Sequence, residues 1–233
     1  MSRKRLDYNL PPVDFQLVTE EPRTTLLEEE TSSYDQQEME NLAAQQSQLN
    51  TDQKASFDAI IELSTNDQKH EFFIEGPGGH RKTFLLNTIL GHMRKDKDVA
   101  LAVASSGIAS LLLSGGRTAH NRFKIPINLF PESTCNISKQ SVLAELIQNV
   151  KLIIWDEAPM AYCYAMEAFD RTLQDICNNK ELFGGKIMVF AGDLFRQILP
   201  VIPHGYEAQI IDACINKSVL WRNVETLKLN ENM

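Results

Sequence analysis

Apolar positions divide the chain at about residue 49. Before that point residues are rich in Glu, Gln, Ser and Thr, and Pro11-Pro12 and Pro22 interrupt regular structure. This composition predicts an acidic, partly disordered extension over residues 1–48, with a mostly polar helical stretch from Tyr34 to Leu49. Beyond it the pattern changes. Leu49-Asn50-Thr51-Asp52-Gln53 supplies an N-cap, and Phe57, Ile60, Ile61 and Leu63 recur at helical spacing. Short apolar runs then alternate with helical patterns. Strands are predicted at Phe72–Ile74, Val99–Val103, Leu152–Trp155, Ile187–Phe190 and Val224–Leu229. Helices are predicted at Phe84–Met93, Ile108–Leu113 and Tyr162–Cys177. Runs that are apolar throughout belong to a parallel sheet covered on both faces. The expected fold is therefore α/β, a mostly parallel sheet with helices on both faces. Ligands of such sheets bind at the carboxyl ends of the strands.

The residues at those ends carry the chemistry. After the first strand comes Gly76-Pro77-Gly78-Gly79-His80-Arg81-Lys82-Thr83, close to the phosphate-loop pattern G-x-x-x-x-G-K-[ST]. Backbone N–H groups of such a loop cradle phosphates, the lysine neutralises them, and the Thr hydroxyl holds magnesium. Gly76, Lys82 and Thr83 fit the spacing, but Arg81 stands where glycine is expected. Arg81 is expected to crowd the cradle and weaken nucleotide binding, and its own charge partly offsets that. Taken alone, the loop suits a glycine-rich strand–helix turn nearly as well. The third strand shifts the balance. It ends in Asp156-Glu157, 73 residues beyond Thr83, in the layout of a Walker-B element. Asp156 there would hold Mg2+, and Glu157 would act as general base on the attacking water. The fourth strand ends at Gly192-Asp193, followed by Arg196-Gln197. Gln197 is placed to sense a terminal phosphate, although an ordinary Gly-Asp turn explains that stretch by itself.

Charge refines the picture. The formal net charge of −8 runs against a broad nucleic-acid surface, but it is unevenly spread. Residues 1–50 hold 4 Lys/Arg against 10 Asp/Glu, leaving the rest with 19 against 21. A nearly neutral domain can present a local basic groove. No apolar run approaches the ~20 residues of a membrane span, and the N-terminus has no secretory pattern. Arg3-Lys4-Arg5 reads as a solvated terminus more readily than as a nuclear address. Cys135, Cys163, Cys177 and Cys214 form no CxxC pair and no zinc spacing with histidine, which predicts reduced thiols.

Several longer stretches carry a resemblance. They are Ala104-Ser105-Ser106-Gly107-Ile108-Ala109, Gly115-Gly116-Arg117-Thr118-Ala119-His120 and Phe123-Lys124-Ile125-Pro126. With them go Trp155-Asp156-Glu157-Ala158-Pro159-Met160, Gln197-Ile198-Leu199-Pro200-Val201 and Leu229-Asn230-Glu231-Asn232-Met233. Together they resemble the Pif-type (petite integration frequency) DNA helicases of superfamily one, nearest to the eukaryotic and Helitron-like branches. The likeness reaches back to Asp7-Tyr8-Asn9-Leu10-Pro11-Pro12. It implies a P-loop NTPase lobe, the first ATP-binding lobe of a motor, over residues 49–233. A second lobe with its arginine finger is expected to lie outside this sequence. The implied activity is ATP hydrolysis driving 5′ to 3′ movement on single-stranded DNA and opening of duplex junctions, with ATP and Mg2+ as cofactors. The implied settings are DNA repair, recombination, telomere maintenance or transposition, and a nuclear location if the source is eukaryotic. No oligomeric state follows.

By the same resemblance Gln53 reads adenine, while Gly76, Gly78, Gly79, Lys82 and Thr83 hold the phosphates. Thr83 and Asp156 take the metal, and Glu157 and Gln197 are catalytic. Ser106, Gly107, Arg117, Thr118, His120 and Phe123 line the DNA strand, with core packing an equal reading for His120 and Phe123. The chain departs from the family at His80-Arg81 and by one extra residue before Gln197. These departures admit a second reading, an impaired relic with weak nucleotide or single-strand binding. A small P-loop kinase leaves Gly116–His120 and the Gln197–Pro200 element unexplained.

Overall fold

The computed structural model describes residues 26–66, 68–194, 196, 198–202 and 205–231. Six strands form one sheet: β1 (Glu71–Glu75), β2 (Ala100–Ala104), β3 (Arg117–Thr118), β4 (Leu152–Asp156), β5 (Ile187–Gly192) and β6 (Glu225–Lys228). Their order is β3-β2-β4-β5-β1-β6 and every pairing is parallel. The expected α/β architecture is present.

Side-chain alternation explains why the central strands read as continuous apolar runs. Phe72, Ile74, Ala100, Ala102, Leu152, Ile154 and Val189 face one layer. It is completed by Phe57 and Ile60 of α3 (Thr51–Thr65) and by Leu85, Leu86, Ile89, Leu90 and Met93 of α4 (Lys82–Lys95). Phe73, Leu101, Val103, Ile153, Trp155, Met188 and Phe190 face the other. That layer is filled by Leu146 and Ile147 of α7 (Val142–Asn149) and by Met166, Phe169 and Leu173 of α8 (Cys163–Ile176). Each of these four central strands therefore buries both faces, whereas the edge strands β3 and β6 stay largely exposed. Three short helices, α5 (Gly107–Leu112), α6 (Ala119–Arg122) and α9 (Glu207–Asp212), complete the set.

The described part of the N-terminal region holds the helical stretch expected from Tyr34 to Leu49, and a further helix before it. Residues 26–48 form α1 (Leu26–Ser32), α2 (Gln36–Ala44) and a 3-10 turn, Gln45–Gln48. Residues 1–25 lie outside the described residues. Helix α2 escapes notice as a docking element because it buries little beyond Met39 and Ala43. It packs instead by close approach. A Cβ built on Gly91 of α4 would stand 2.4 Å from Leu42 Cβ and 2.8 Å from the backbone nitrogen of Ala43. The four cysteines are free thiols. No helix among the described residues is long and apolar enough to cross a membrane.

Candidate nucleotide and strand site

Parallel strands deliver the ends of β1, β2, β4 and β5 to a single edge of the sheet. Strand β5 lies between the strand of the phosphate loop and the strand of the acid pair. Their ends are tied: Gly76 N–H donates to the Gly192 carbonyl at 3.2 Å, and Ser105 N–H to the Asp156 carbonyl at 3.1 Å.

The loop between β1 and α4 turns through two residues of positive φ. Gly79 has φ +92, and Arg81 itself takes the left-handed conformation (φ 52, ψ 39) as it caps α4. A side chain there costs about 1–2 kcal/mol relative to glycine. Its guanidinium sits 4.2 Å from the centre of the Phe84 ring, a cation–π contact on the first turn of α4. Such a contact returns about 0.5–1 kcal/mol at an exposed site. The Arg81→Gly variant is therefore expected to be more stable by up to about 1 kcal/mol, seen as a rise of roughly 2–4 °C in Tm. A fall in Tm would show that the left-handed turn is not strained.

Lys82 Nζ donates to the carbonyls of Gly76 and Pro77, the latter at 3.2 Å, and so folds over its own loop. Thr83 lies half-buried in the first turn of α4. Asp156 is 3% exposed, and burial pushes its carboxyl up to about 6. The Glu157 N–H donated to Asp156 Oδ1 at 2.8 Å and the charge of Lys82 work in the opposite direction. Lys82 and Asp156 thus interact electrostatically across the edge. Glu157 is left-handed (φ 53) and opens the 3-10 turn Ala158–Met160. Backbone conformations of this kind persist where the surroundings over-determine them, often at functional sites.

Gln53 is wholly buried and its amide is engaged. Its Oε1 accepts from Asn50 N–H, and its Nε2 donates to the His80 carbonyl at 3.1 Å. Gln53 N–H in turn donates to Asn50 Oδ1 at 2.9 Å, completing a capping box on α3. The expected adenine reader therefore holds the phosphate loop through a backbone carbonyl. Asn50 Nδ2 and His80 Nδ1 are buried without a hydrogen-bond partner among the described residues. Beside the loop, a cleft of about 440 Å³ opens between Gly76-Pro77, Asp193 and Lys228–Asn230. Gln197 lies outside the described residues. Asp193 is buried and accepts from the Arg196 N–H at 3.1 Å.

The donor set suits Mg2+. Among the described residues no three His, Cys, Asp or Glu side chains converge. Mg2+ is held by one or two protein oxygens together with phosphates and water, so Asp156 and Thr83 suffice on the protein side.

The expected strand-binding residues divide. Ser106 caps α5 and accepts from Ala109 N–H at 3.1 Å, while Gly107 is exposed and a Cβ there would meet nothing. Arg117 and Thr118 form β3, in register with Val103 and Ala104 of β2. Arg117 and His120 are exposed. Phe123 is a correction: it is 0% exposed and stacks on Phe169 with ring centres 4.0 Å apart. It is a core residue and offers no face to a base. Sequence reasoning missed Ser105, whose hydroxyl accepts from Trp155 Nε1–H at 2.9 Å and joins the strand-binding turn to the acid-pair strand. The alternation that puts Trp155 in the second layer was the available signal.

A family model for PIF1-like helicases matches residues 48–233. The chain belongs to the PIF1-like helicase family. The ATP-dependent DNA helicase Pif1 of a Psychrobacter species is 31% identical over 135 residues, covering 57% of this chain and 20% of that one. The Campylobacter jejuni protein of the same name is 31% identical over 153 residues, covering 63% and 32%. The chain thus spans about a fifth to a third of the length of these curated relatives. Among solved structures, Bacteroides Pif1 in complex with ADP-AlF3 and single-stranded DNA superposes with a TM-score of 0.64 at 24% identity, over 76% of this chain and 42% of that one. Bacteroides Pif1 bound to single-stranded DNA gives 0.59 at 25% identity, over 75% and 41%. These likenesses agree with the fold described above.

Proposed function

We propose that this chain is the nucleotide-binding lobe of an ATP-driven DNA helicase, binding Mg2+–ATP at the carboxyl edge of the sheet. The observation that carries the reading is that Lys82 and the Asp156-Glu157 pair interact at that edge. Lys82 would exchange its loop carbonyls for the terminal phosphates, and Asp156 and Thr83 would hold Mg2+, whose chemistry there would be to neutralise charge on the phosphates. Glu157 takes a proton from the attacking water. Ser106, Gly107, Arg117, Thr118 and His120 receive single-stranded DNA through its backbone, without base selection. Movement 5′ to 3′, opening of duplex junctions and service in repair, recombination or telomere maintenance follow by kinship with the Pif-type helicases. Closure of a cleft around ATP belongs to a two-lobed motor, so the activity is that of the whole protein.

Separable binding of two ligands tests this. Lys82→Ala is expected to weaken Mg2+–ATP binding by about 10–100-fold, the worth of a charge-assisted phosphate contact. Arg117→Ala is expected to weaken an oligothymidine of about 12 nucleotides several-fold and to flatten its salt dependence. Isothermal titration reads the first and fluorescence anisotropy the second. If both ligands bind as before in both variants, the site lies elsewhere.

A further inference from the structure

Helix α1 and the turn after it precede the region that the family model matches, yet they meet the lobe through charged groups. Glu30 of α1 is 8% exposed and Arg122, the last residue of α6, is 6% exposed. The two form an ion pair between positions 92 apart in sequence. The other Glu30 oxygen accepts from the Tyr34 hydroxyl. The Tyr34 ring in turn carries the guanidinium of Arg94 at 3.9 Å from its centre. Arg94 donates to the carbonyls of Ser114 at 2.7 Å and Ala100 at 2.8 Å. The hydroxyl end of the same ring meets Gly115, where an added Cβ would stand 2.6 Å from it. From the far side, Asn87 accepts from Ser114 N–H and donates to the Leu112 carbonyl, each at 2.9 Å.

Residues 114–122 are therefore gripped at both ends, and between the grips stand Arg117, Thr118 and His120. We propose that α1 and the turn that follows it anchor the strand-binding segment, Glu30 acting through Arg122, and Tyr34 through Arg94 and Gly115. Glu30 and Tyr34 are positioning residues. Buried in the ion pair, Arg122 is held away from any phosphate and serves to orient its segment. Buried ionic groups are best attested in such a role, fixing geometry at some cost in stability. The segment needs a fixed shape because it opens on a loop and includes a strand of only two residues, Arg117–Thr118. This inference rests on the strand-binding reading given above.

The test uses the full chain and its Glu30→Gln variant, with fluorescein-labelled oligothymidine of about 12 nucleotides as the probe. Hydrogen exchange over residues 114–122 and Mg2+–ATP titration are run on the same samples. Glu30→Gln is expected to weaken oligothymidine binding about fivefold or more. It should raise exchange over 114–122, leaving exchange in α8 and nucleotide affinity unchanged. The pair Glu30→Met with Arg122→Met replaces the ion pair by packing and is expected to restore binding to within about twofold. Unchanged binding and exchange in Glu30→Gln overturn the anchor. Equal losses of oligothymidine and nucleotide binding, with faster exchange in α8, also overturn it, because the pair then serves only global folding. If the natural chain binds no oligothymidine while Glu30→Gln still loosens 114–122, the strand-binding reading fails, and with it the purpose inferred for the anchor.

Discussion

Asparagine in place of Asp156 is expected to stabilise the ligand-free chain at neutral pH by as much as about 3 kcal/mol. The cause is burial: the Asp156 carboxyl titrates near 6 in the folded chain against 3.8 in the open one. Below pH 3.8 both states are protonated and the group contributes nothing. Between 3.8 and 6 the unfolded chain loses its proton first, so stability falls as pH rises. Above 6 the penalty is complete and constant. Asparagine keeps an oxygen for the Glu157 N–H, so the existing hydrogen bond survives. Urea unfolding at several pH values should show the variant and the natural chain matched near pH 3.5 and separated above pH 6. Saturating Mg2+–ATP should reverse the order, because only the natural carboxylate gains a cation. A gap of the same size at every pH would show that ionisation of Asp156 is not its source.

The second large effect concerns the N-terminal helices. Gly91→Ala is expected to destabilise the chain by about 1–3 kcal/mol through overpacking, although alanine favours a helix interior by about 1 kcal/mol. The sign depends on what the new methyl group meets. It would stand 2.4 Å from Leu42 Cβ and 2.8 Å and 3.0 Å from backbone atoms of α2, which cannot turn aside as a side-chain tip would. Helix α2 must therefore shift or detach. Amide exchange over Gln36–Ala44 should accelerate in the variant while the strands keep their protection. A stabilised variant would mean that α2 is not seated on α4.

Most of the sheet was legible because its strands are doubly buried. Ile153-Ile154-Trp155 and Val189-Phe190 need no partner to be recognised, and their carboxyl ends fall directly on Asp156 and Gly192. Strand β6 was found within a residue or two at each end, from Val224–Leu229 to Glu225–Lys228. Helix α2 was legible as a polar helix within Tyr34–Leu49, but α1 and the seating of both on the lobe were not, for a physical reason. Glycine at position 91 makes room for α2 without a large apolar stripe on α2 itself, and an ion pair such as Glu30–Arg122 leaves no periodic trace in sequence. Gln53 was legible as a cap but not as a buried strut for His80, since that bond spans 27 residues. Phe123 was open between two readings, and its stacking on Phe169 decides for the core. Helix α5 was legible as a helix, but its exposure was not: Ile108 and Leu111 are 80% and 83% exposed despite their apolar side chains.

The sharpest departure from the family pattern is Arg81. A left-handed arginine stands where glycine is expected, and its guanidinium lies over the Phe84 ring. A loop turned in this way is expected still to admit phosphates. Calorimetric titration of the natural chain with ATP, with and without Mg2+, beside the variant carrying both His80→Thr and Arg81→Gly, is the direct test. Saturable, Mg2+-dependent binding by the natural chain, within about tenfold of the altered loop, is the predicted result. Binding by the altered loop alone would contradict it and make Arg81 the lesion that closes the site.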